Sequence, residues 1–326
     1  MKIAFVVQTL LIACTAVATV TSIHAAEAYP SRTVQLVSPF AAGGTSDLVA
    51  RAVAQGLSAE LGQAVYVENR AGAGGNLGAE FVARSKPDGY TILVSNSSLL
   101  AISPLVYSNL RYDGQKDLAP ITVLAQGANV LLVNNSVPAR SVKDLITLAA
   151  AKPDSLNFAS SGAGTTTHLA GEMFKQLAGF QMQHLPFRGA GPALTALMGG
   201  DVQIMFDNVP SALQLVRSGK VRALAVTGST REEVLPELPT MVEAGVPGFE
   251  VTGWFSLSAP AGTPREVVMR LNTAAQKVVG SPDFRKRMAE LGYRPVGGSP
   301  ERMTEMTRAE IARWAPVVKA SGARAE

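Results

Sequence analysis

Pro39-Phe40-Ala41-Ala42-Gly43-Gly44-Thr45-Ser46-Asp47 joins a short apolar run to an amphipathic one, and its reading decides the fold. Upstream, Thr33 to Val37 reads as a strand. Downstream, Leu48, Val49, Ala52, Val53, Leu57 and Leu61 recur at helical spacing, with Ser46 as N-cap and Gly62 as stop. The same construction returns at Ala159-Ser160-Ser161-Gly162-Ala163-Gly164-Thr165-Thr166-Thr167-His168. Around these junctions, strands at 64–68, 90–95, 156–159, 182–186, 202–206 and 222–227 alternate with helices at 77–84, 142–151, 166–177, 192–198 and 209–218. Residues 121–133 form a β-rich stretch broken by Gly127, and helices at 265–279, 282–291 and 300–320 close the chain. Such alternation predicts an α/β fold, with helices covering a mostly parallel sheet.

Composition narrows the class. The chain has 326 residues, of which 47% are hydrophobic and 17% charged. That content buries enough apolar surface to offset the entropy of ordering, which excludes intrinsic disorder. A single cysteine excludes a disulfide framework and a Cys-based zinc site. Lys and Arg exceed Asp and Glu by 29 to 25, a net charge of +4 without a basic run, so no nucleic-acid partner is expected.

The beginning of the chain reads as an export signal. Lys2 precedes the apolar run Ile3–Val20, and Ala26-Glu27-Ala28 offers an A-x-A cleavage point, giving a signal peptide over 1–28. Cleavage after Ala25 or Ala26 is the alternative, and a retained anchor is the rival, though Gln8 and several Thr dilute the run. Leu11-Ile12-Ala13-Cys14 has the form of a lipobox, but the apolar run continues past Cys14 where a lipoprotein would turn polar. Cleavage after Ala28 leaves 326 − 28 = 298 residues without cysteine, and the loss of Lys2 and Glu27 leaves the charge balance unchanged.

The two Gly/Ser/Thr loops let a ligand approach the main chain, supply hydroxyl donors and expose the N–H groups of a following helix, a combination suited to an anion. Turn and cap formation alone is the plainer reading of either loop. Their shared place after a strand favours ligand binding, because open α/β sheets bind ligands there. Gly72-Ala73-Gly74-Gly75-Asn76-Leu77-Gly78 misses the dinucleotide fingerprint at Leu77 and reads as a tight turn entering a helix. Ser160 or Ser161 with His168 and Asp207 can be drawn as a nucleophilic triad, but no G-x-S-x-G elbow is present. With His24 removed only His168 and His184 remain, so no His-rich metal site and no cofactor is expected. Arg188 can be read as a carboxylate clamp or a solvated surface residue, and Asp207 and Asn208 as acceptors of a ligand donor or as helix caps.

These residues carry a family resemblance. Pro39–Gly44 with Asp47 and Arg51, Val67-Glu68-Asn69-Arg70, Pro87-Asp88-Gly89-Tyr90-Thr91, Gly219–Ala225, Leu238-Pro239-Thr240 and Ala259–Pro264 resemble the Bug-type receptors of tripartite tricarboxylate transporters, in family order along the mature chain. The resemblance implies an α/β, two-lobed periplasmic binding protein-like fold of type II, with a ligand cleft between lobes. Lobe 1 would comprise 29–125 and 226–326, and lobe 2 would comprise 126–225. The matching ligand-binding positions are Phe40, Ala42, Gly43, Gly44, Thr45, Ser46 and Asp47 in lobe 1, then Ser160, Ser161, Gly164, Thr165, Thr166, His168 and Asp207 in lobe 2. The implied function is that of a non-catalytic, monomeric periplasmic receptor. It would hand a small carboxylated solute (a dicarboxylate or tricarboxylate, an amino acid or an aromatic acid) to membrane components of a transporter. A sensing partner of a membrane signalling protein, or a Ser-dependent hydrolase, are the alternatives.

Overall fold

The structure, a computed structural model, describes residues 29–151 and 156–325. The expected signal peptide and cleavage point, and Cys14, lie outside the described residues. The first half of the chain contributes β1 (Val34–Ser38), α1 (Thr45–Leu61), β2 (Val65–Asn69), α2 (Asn76–Ala83), β3 (Thr91–Asn96), α3 (Ser103–Val106) and β4 (Leu118–Val133). Next come α4 (Val142–Ala151), β5 (Asn157–Ser160), α5 (Thr166–Ala178), β6 (Gln183–Pro186), α6 (Ala190–Gly199), β7 (Ile204–Asn208), α7 (Val209–Arg217) and β8 (Arg222–Val226). The remainder is β9 (Thr252–Pro260), α8 (Arg265–Gly280), α9 (Pro282–Glu290), β10 (Arg294–Pro295) and α10 (Pro300–Ser321).

The strands follow the order β2-β1-β3-β9-β4-β7-β5-β6, with β8 and β10 also paired to β4. Parallel pairing holds only at the two outer regions, β2-β1-β3 and β7-β5-β6. The centre is antiparallel, β3 to β9 and β9 to β4, and then β4 to β7 and β8. This corrects the expectation of a mostly parallel sheet. Its cause is the path of the chain: β4 leaves one lobe and β9 re-enters it, so the two run in opposite directions without a crossover helix. The sequence pattern passed over β9, because Gly253, Ser256 and Ser258 interrupt its apolar run.

Strand β4 is shared by both lobes. Its first part pairs with β9 and β10 and its last part, from Asn129, pairs with β7 and β8. Gly127 does not break it. A Cβ at that position would run into the Tyr293 ring, so glycine serves close packing inside a continuous strand. Beside this crossing, the Thr227 hydroxyl accepts the Asn129 N–H at 2.8 Å and donates to the Val251 carbonyl at 2.6 Å. The Val251 N–H in turn reaches the Thr227 carbonyl at 2.8 Å. One residue thus ties β4, the exit of β8 and the approach to β9.

Separate cores fill the lobes. Val34, Leu36, Val53 and Leu57 pack with Leu257, Leu271 and Met288 in the first. Phe158, Phe174, Phe206 and Phe249 pack in the second, where Trp314 of α10 joins them. Helix α10 therefore runs from Met303, in a lobe 1 cluster, to Trp314 and Val318 against lobe 2. No described helix is long and apolar enough to cross a membrane.

Gly171 lies within α5 where an added Cβ would meet the Phe158 ring. Alanine is the better helix former by about 1 kcal/mol, but overpacking a buried ring costs about 1–3 kcal/mol. Gly171→Ala should therefore lower the midpoint of urea unfolding, and a raised midpoint would contradict this packing.

Candidate ligand site

Strand ends place the site. The loop after β1 delivers Phe40, Gly44, Thr45 and Ser46 to a narrow cavity of about 30 Å³. The loop after β5 delivers Ser161, Thr165 and Thr166 from the other lobe. Asn96, Ser97 and Ser98 enter from the end of β3, Ala190 from the start of α6, Asn208 from the end of β7, and Gly253, Trp254 and Phe255 from β9. Larger hollows lie outside, between α1 and α8–α9 and beside α2, and are surface grooves lined by both signs of charge.

Four helices begin at this cavity. The N-caps of α1, α6 and α7 are Gly44, Gly189 and Asn208, and none makes a side-chain cap bond. At α5 the Thr165 hydroxyl accepts the His168 N–H, and Ser98 Oγ accepts the Thr166 N–H across the cleft at 3.1 Å. Uncapped first turns leave N–H donors and the positive end of each helix dipole facing the cavity. Among the described residues, no Lys, Arg, His, Asp or Glu lines it. The site offers an anion dipoles and hydroxyls in place of fixed cations.

The lobes meet at the rim. A Cβ on Gly162 would stand 2.7 Å from Gly74 Cα, and one on Gly189 would stand 3.1 Å from the Ala41 nitrogen. The Gly72–Gly78 turn enters α2 as expected, and in addition it closes the rim through Gly74, which a Cβ would drive into the Ala163 carbonyl. Tyr107 also donates to that carbonyl at 3.2 Å, and Tyr293 donates to Asn208 Oδ1 at 2.9 Å. The lobes are closed over the cavity.

Seven of the sequence-predicted positions stand on the wall: Phe40, Gly44, Thr45, Ser46, Ser161, Thr165 and Thr166. Ala42 and Gly43 lie exposed on the rim loop. Asp47 sits behind it, 4% exposed. Burial opposes the Asp47 charge, but hydrogen bonds from Arg51, the Gly43 N–H and Asn69 outweigh it and hold the carboxyl below its usual range. Asn69 also donates to the Phe40 carbonyl at 3.0 Å, so Asp47 and Asn69 together fix the loop's shape.

The lobe 2 loop is held from behind in a similar way. Ser160 Oγ lies 2.6 Å from His184 Nε2, and His184 stacks on His168 with ring centroids 3.9 Å apart. His168 Nδ1 accepts the Gly164 N–H at 3.2 Å, and Gly164 itself packs close to Tyr107. Burial, with a smaller contribution from Lys175, lowers His168 to about 4. Burial, then His168 and Lys175, lowers His184 to about 2. Asp207 is fully buried and accepts from Ser211 at 2.6 Å. Ser160, His168 and Asp207 therefore do not assemble as a triad: the serine pairs with His184, and the aspartate with Ser211. Arg188 lies exposed and is not part of the wall, which corrects its reading as a clamp.

The sequence missed Asn96, Ser97, Ser98, Ala190, Gly253, Trp254 and Phe255. Asn96-Ser97-Ser98 carried the only legible signal, small polar residues after a strand. They lead into a single π-turn, Ser98–Ile102, of a kind enriched at functional sites. Among the described residues, no group of His, Cys, Asp and Glu is placed to hold a metal.

A family model described as "Tripartite tricarboxylate transporter family receptor" matches residues 49–323. Protein BugT of Bordetella pertussis (strain Tohama I) is 37% identical over 300 residues, covering 92% of this chain and 92% of its own. A solved structure described as "R. palustris Rpa4515 with adipate" is 41% identical, with a TM-score of 0.88, over 90% of this chain and 98% of that one. MatC from Rhodopseudomonas palustris, solved with bound malate, is 35% identical, with a TM-score of 0.85, over 89% of this chain and 100% of its own.

The histidine pair gives the fold an acid limit. Both folded-state values lie below the ordinary 6.5, so the unfolded chain binds more protons. Their contribution to stability is complete above about pH 6.5 and falls away as pH drops, through about 4 for His168 and on toward about 2 for His184. Asp207, whose carboxyl burial raises, has the opposite slope. The comparison is therefore made between variant and wild type. The loss in urea midpoint from pH 7 to pH 5 should be smaller in His184→Gln than in wild type, and equal losses would contradict the assignment.

Proposed function

Because the chain belongs to the tripartite tricarboxylate transporter receptor family, periplasmic solute-binding proteins of two-lobed α/β fold, we propose that it captures a small carboxylate between its lobes for delivery to the membrane components of such a transporter. The observation that carries this reading is the convergence of four helix starts, three of them uncapped, on a cavity without a charged side chain. An isolated helix start favours an anion by about 0.3–1 kcal/mol, and more where water is excluded. Several starts acting together select a carboxylate over an amine.

The ligand is held, in this reading, by Gly44, Thr45 and Ser46 from one side and Ser98, Ser161, Thr165 and Thr166 from the other, with Phe40, Trp254 and Phe255 against its carbon body. Ala42, Gly43, Asp47, Ser160, Gly164 and His168 shape the two loops. Adipate in one relative and malate in another support an aliphatic dicarboxylate. The lobes divide as 29–125 with most of 226–326, and 126–225, the stretch from Leu235 to Val251 packing with the second lobe before β9 re-enters the first. The crossings lie beside Gly127 and Thr227, and α10 straddles the division. Because only the closed form brings both loops onto the solute, binding draws the open–closed equilibrium toward closure. The receptor works as an exported monomer.

A thermal-shift and calorimetric panel of succinate, adipate, malate, aspartate and benzoate, with putrescine as the amine control, tests this. A ligand at a hundred times its dissociation constant stabilises by about 2.7 kcal/mol. At least one acid should shift the transition while putrescine does not, and a panel without any shift would sink the proposal.

Gly44→Val separates binding from folding. A Cβ at Gly44 has nothing nearer than 3.5 Å and φ there is −80°, so the chain tolerates a side chain that enters the cavity. The variant should unfold within a few degrees of wild type yet bind roughly a hundredfold more weakly, as expected when a bulky group displaces the ligand from its donors.

A further inference from the structure

Asp207 is buried without a countercharge. Its exposure is 0%, its Oδ2 accepts the Ser211 hydroxyl at 2.6 Å, and its Oδ1 has no hydrogen-bond partner among the described residues. Ser211 Oγ in turn accepts the Thr45 hydroxyl at 3.1 Å. Thr45 belongs to the first turn of α1 and lies on the cavity wall. A chain of hydroxyls thus runs from the ligand cavity to a buried carboxyl in the other lobe.

The polarity of that chain is wrong for an anion. Each hydroxyl carries one proton. With Asp207 ionised, Ser211 donates to Asp207 and Thr45 donates to Ser211, so Thr45 turns lone pairs toward the cavity. We propose that capture of a carboxylate is coupled to uptake of one proton by Asp207, with Ser211 and Thr45 reversing their hydrogen bonds so that Thr45 donates to the ligand. The inference rests on the carboxylate-receptor reading and adds a proton to it.

The step balances simply. A solvent proton joins Thr45 Oγ1 as the proton of Thr45 passes to Ser211 Oγ and that of Ser211 passes to Asp207 Oδ2. Afterwards Asp207 donates to Ser211, Ser211 to Thr45, and Thr45 to the ligand carboxylate, which stays ionised. The Asn208 carbonyl, 3.0 Å from Ser211 Oγ, is the competing acceptor that the reversed chain must outdo.

No cation around Asp207 opposes its protonation. Of the helices on β7, α6 carries no ionisable side chain, α7 has only Arg217 in its last turn, and α5 carries His168, Glu172 and Lys175. Glu172 and Lys175 pair with each other at 2.9 Å. Strands β4 and β5 present uncharged residues beside it, and Asp47 of α1 is taken by Arg51 at 3.0 Å. Tyr293, just before β10, stays protonated because burial, then Asp207 and Glu232, push it well above its ordinary value. Glu232 is itself raised by burial, against the pull of Arg294. Burial, opposed by Ser211 and the Asn208 N–H, raises the Asp207 carboxyl to about 7. Both of its states are therefore within reach near neutrality.

The test is isothermal titration of the full-length mature protein with each acid of the carboxylate panel, in two buffers of different ionisation enthalpy. These acids are fully ionised above about pH 7, so any proton taken up belongs to the protein. Wild type should take up close to one proton per ligand there, with affinity falling roughly tenfold per unit rise in pH. Asp207→Asn, whose amide donates to Ser211 at every pH, should bind without proton uptake and with no pH dependence. Ser211→Ala cuts the chain while keeping the carboxyl, and should lose most of the uptake. Wild-type affinity independent of pH overturns the coupling, and full uptake in Ser211→Ala overturns the hydroxyl chain. If no acid binds, the carboxylate-receptor reading falls and the coupling with it.

Discussion

One strand holds the molecule in register. Strand β4 is hydrogen-bonded to β9 and β10 over its first part and to β7 and β8 over its last, so it belongs to the sheet of each lobe. Backbone ladders tolerate little slippage where both faces are buried, because a one-residue shift reverses every side chain. The strand therefore fixes where the ends of β1 and β5 stand relative to each other. The two Gly/Ser/Thr loops inherit that alignment. Thr227, bonded to Asn129 and Val251 at the crossing, concentrates any relative motion at one narrow place.

The site is built on positions held from behind. Asn69 and Asp47 brace the lobe 1 loop, and the stacked His168 and His184 brace the lobe 2 loop. Backbone donors fixed in this manner need no reorganisation on binding, and in a dry cleft each hydrogen bond is stronger than in water. The rim glycines serve the same end: Gly74, Gly162 and Gly189 let two backbones touch where any side chain would hold the lobes apart.

Much of this was legible in the residues. The periodicity of Leu48 to Leu61 and the small residues before it located α1, although its N-cap is Gly44, two residues before the expected Ser46. The repeated construction at Ser160–His168 located the second loop. Strand β9 was lost because its pattern is neither alternating nor uniformly apolar: Ser95 Oγ lies 2.7 Å from both Ser256 Oγ and Ser258 Oγ in the interior, a polar cluster no periodicity signals. With β9 went Trp254 and Phe255, whose place on the wall depends on strand order. His168 and Asp207, expected at the ligand, lie off the cavity wall, and their duties were not readable. Whether a side chain faces the cavity or props up the loop is decided by partners distant in sequence, such as His184 and Ser211.

The uncharged wall bears on how a solute is found. Dipoles lose strength with distance much faster than ions do, so the cleft exerts little pull on an anion beyond a few ångströms. Any long-range steering then comes from charges outside the wall, and added salt, which screens separated charges, leaves the wall's own contribution almost untouched. Discrimination is deferred to the last contact, when the lobes shut and shape and hydrogen bonding are judged together. A receptor of this kind suits surroundings whose ionic strength the cell does not control.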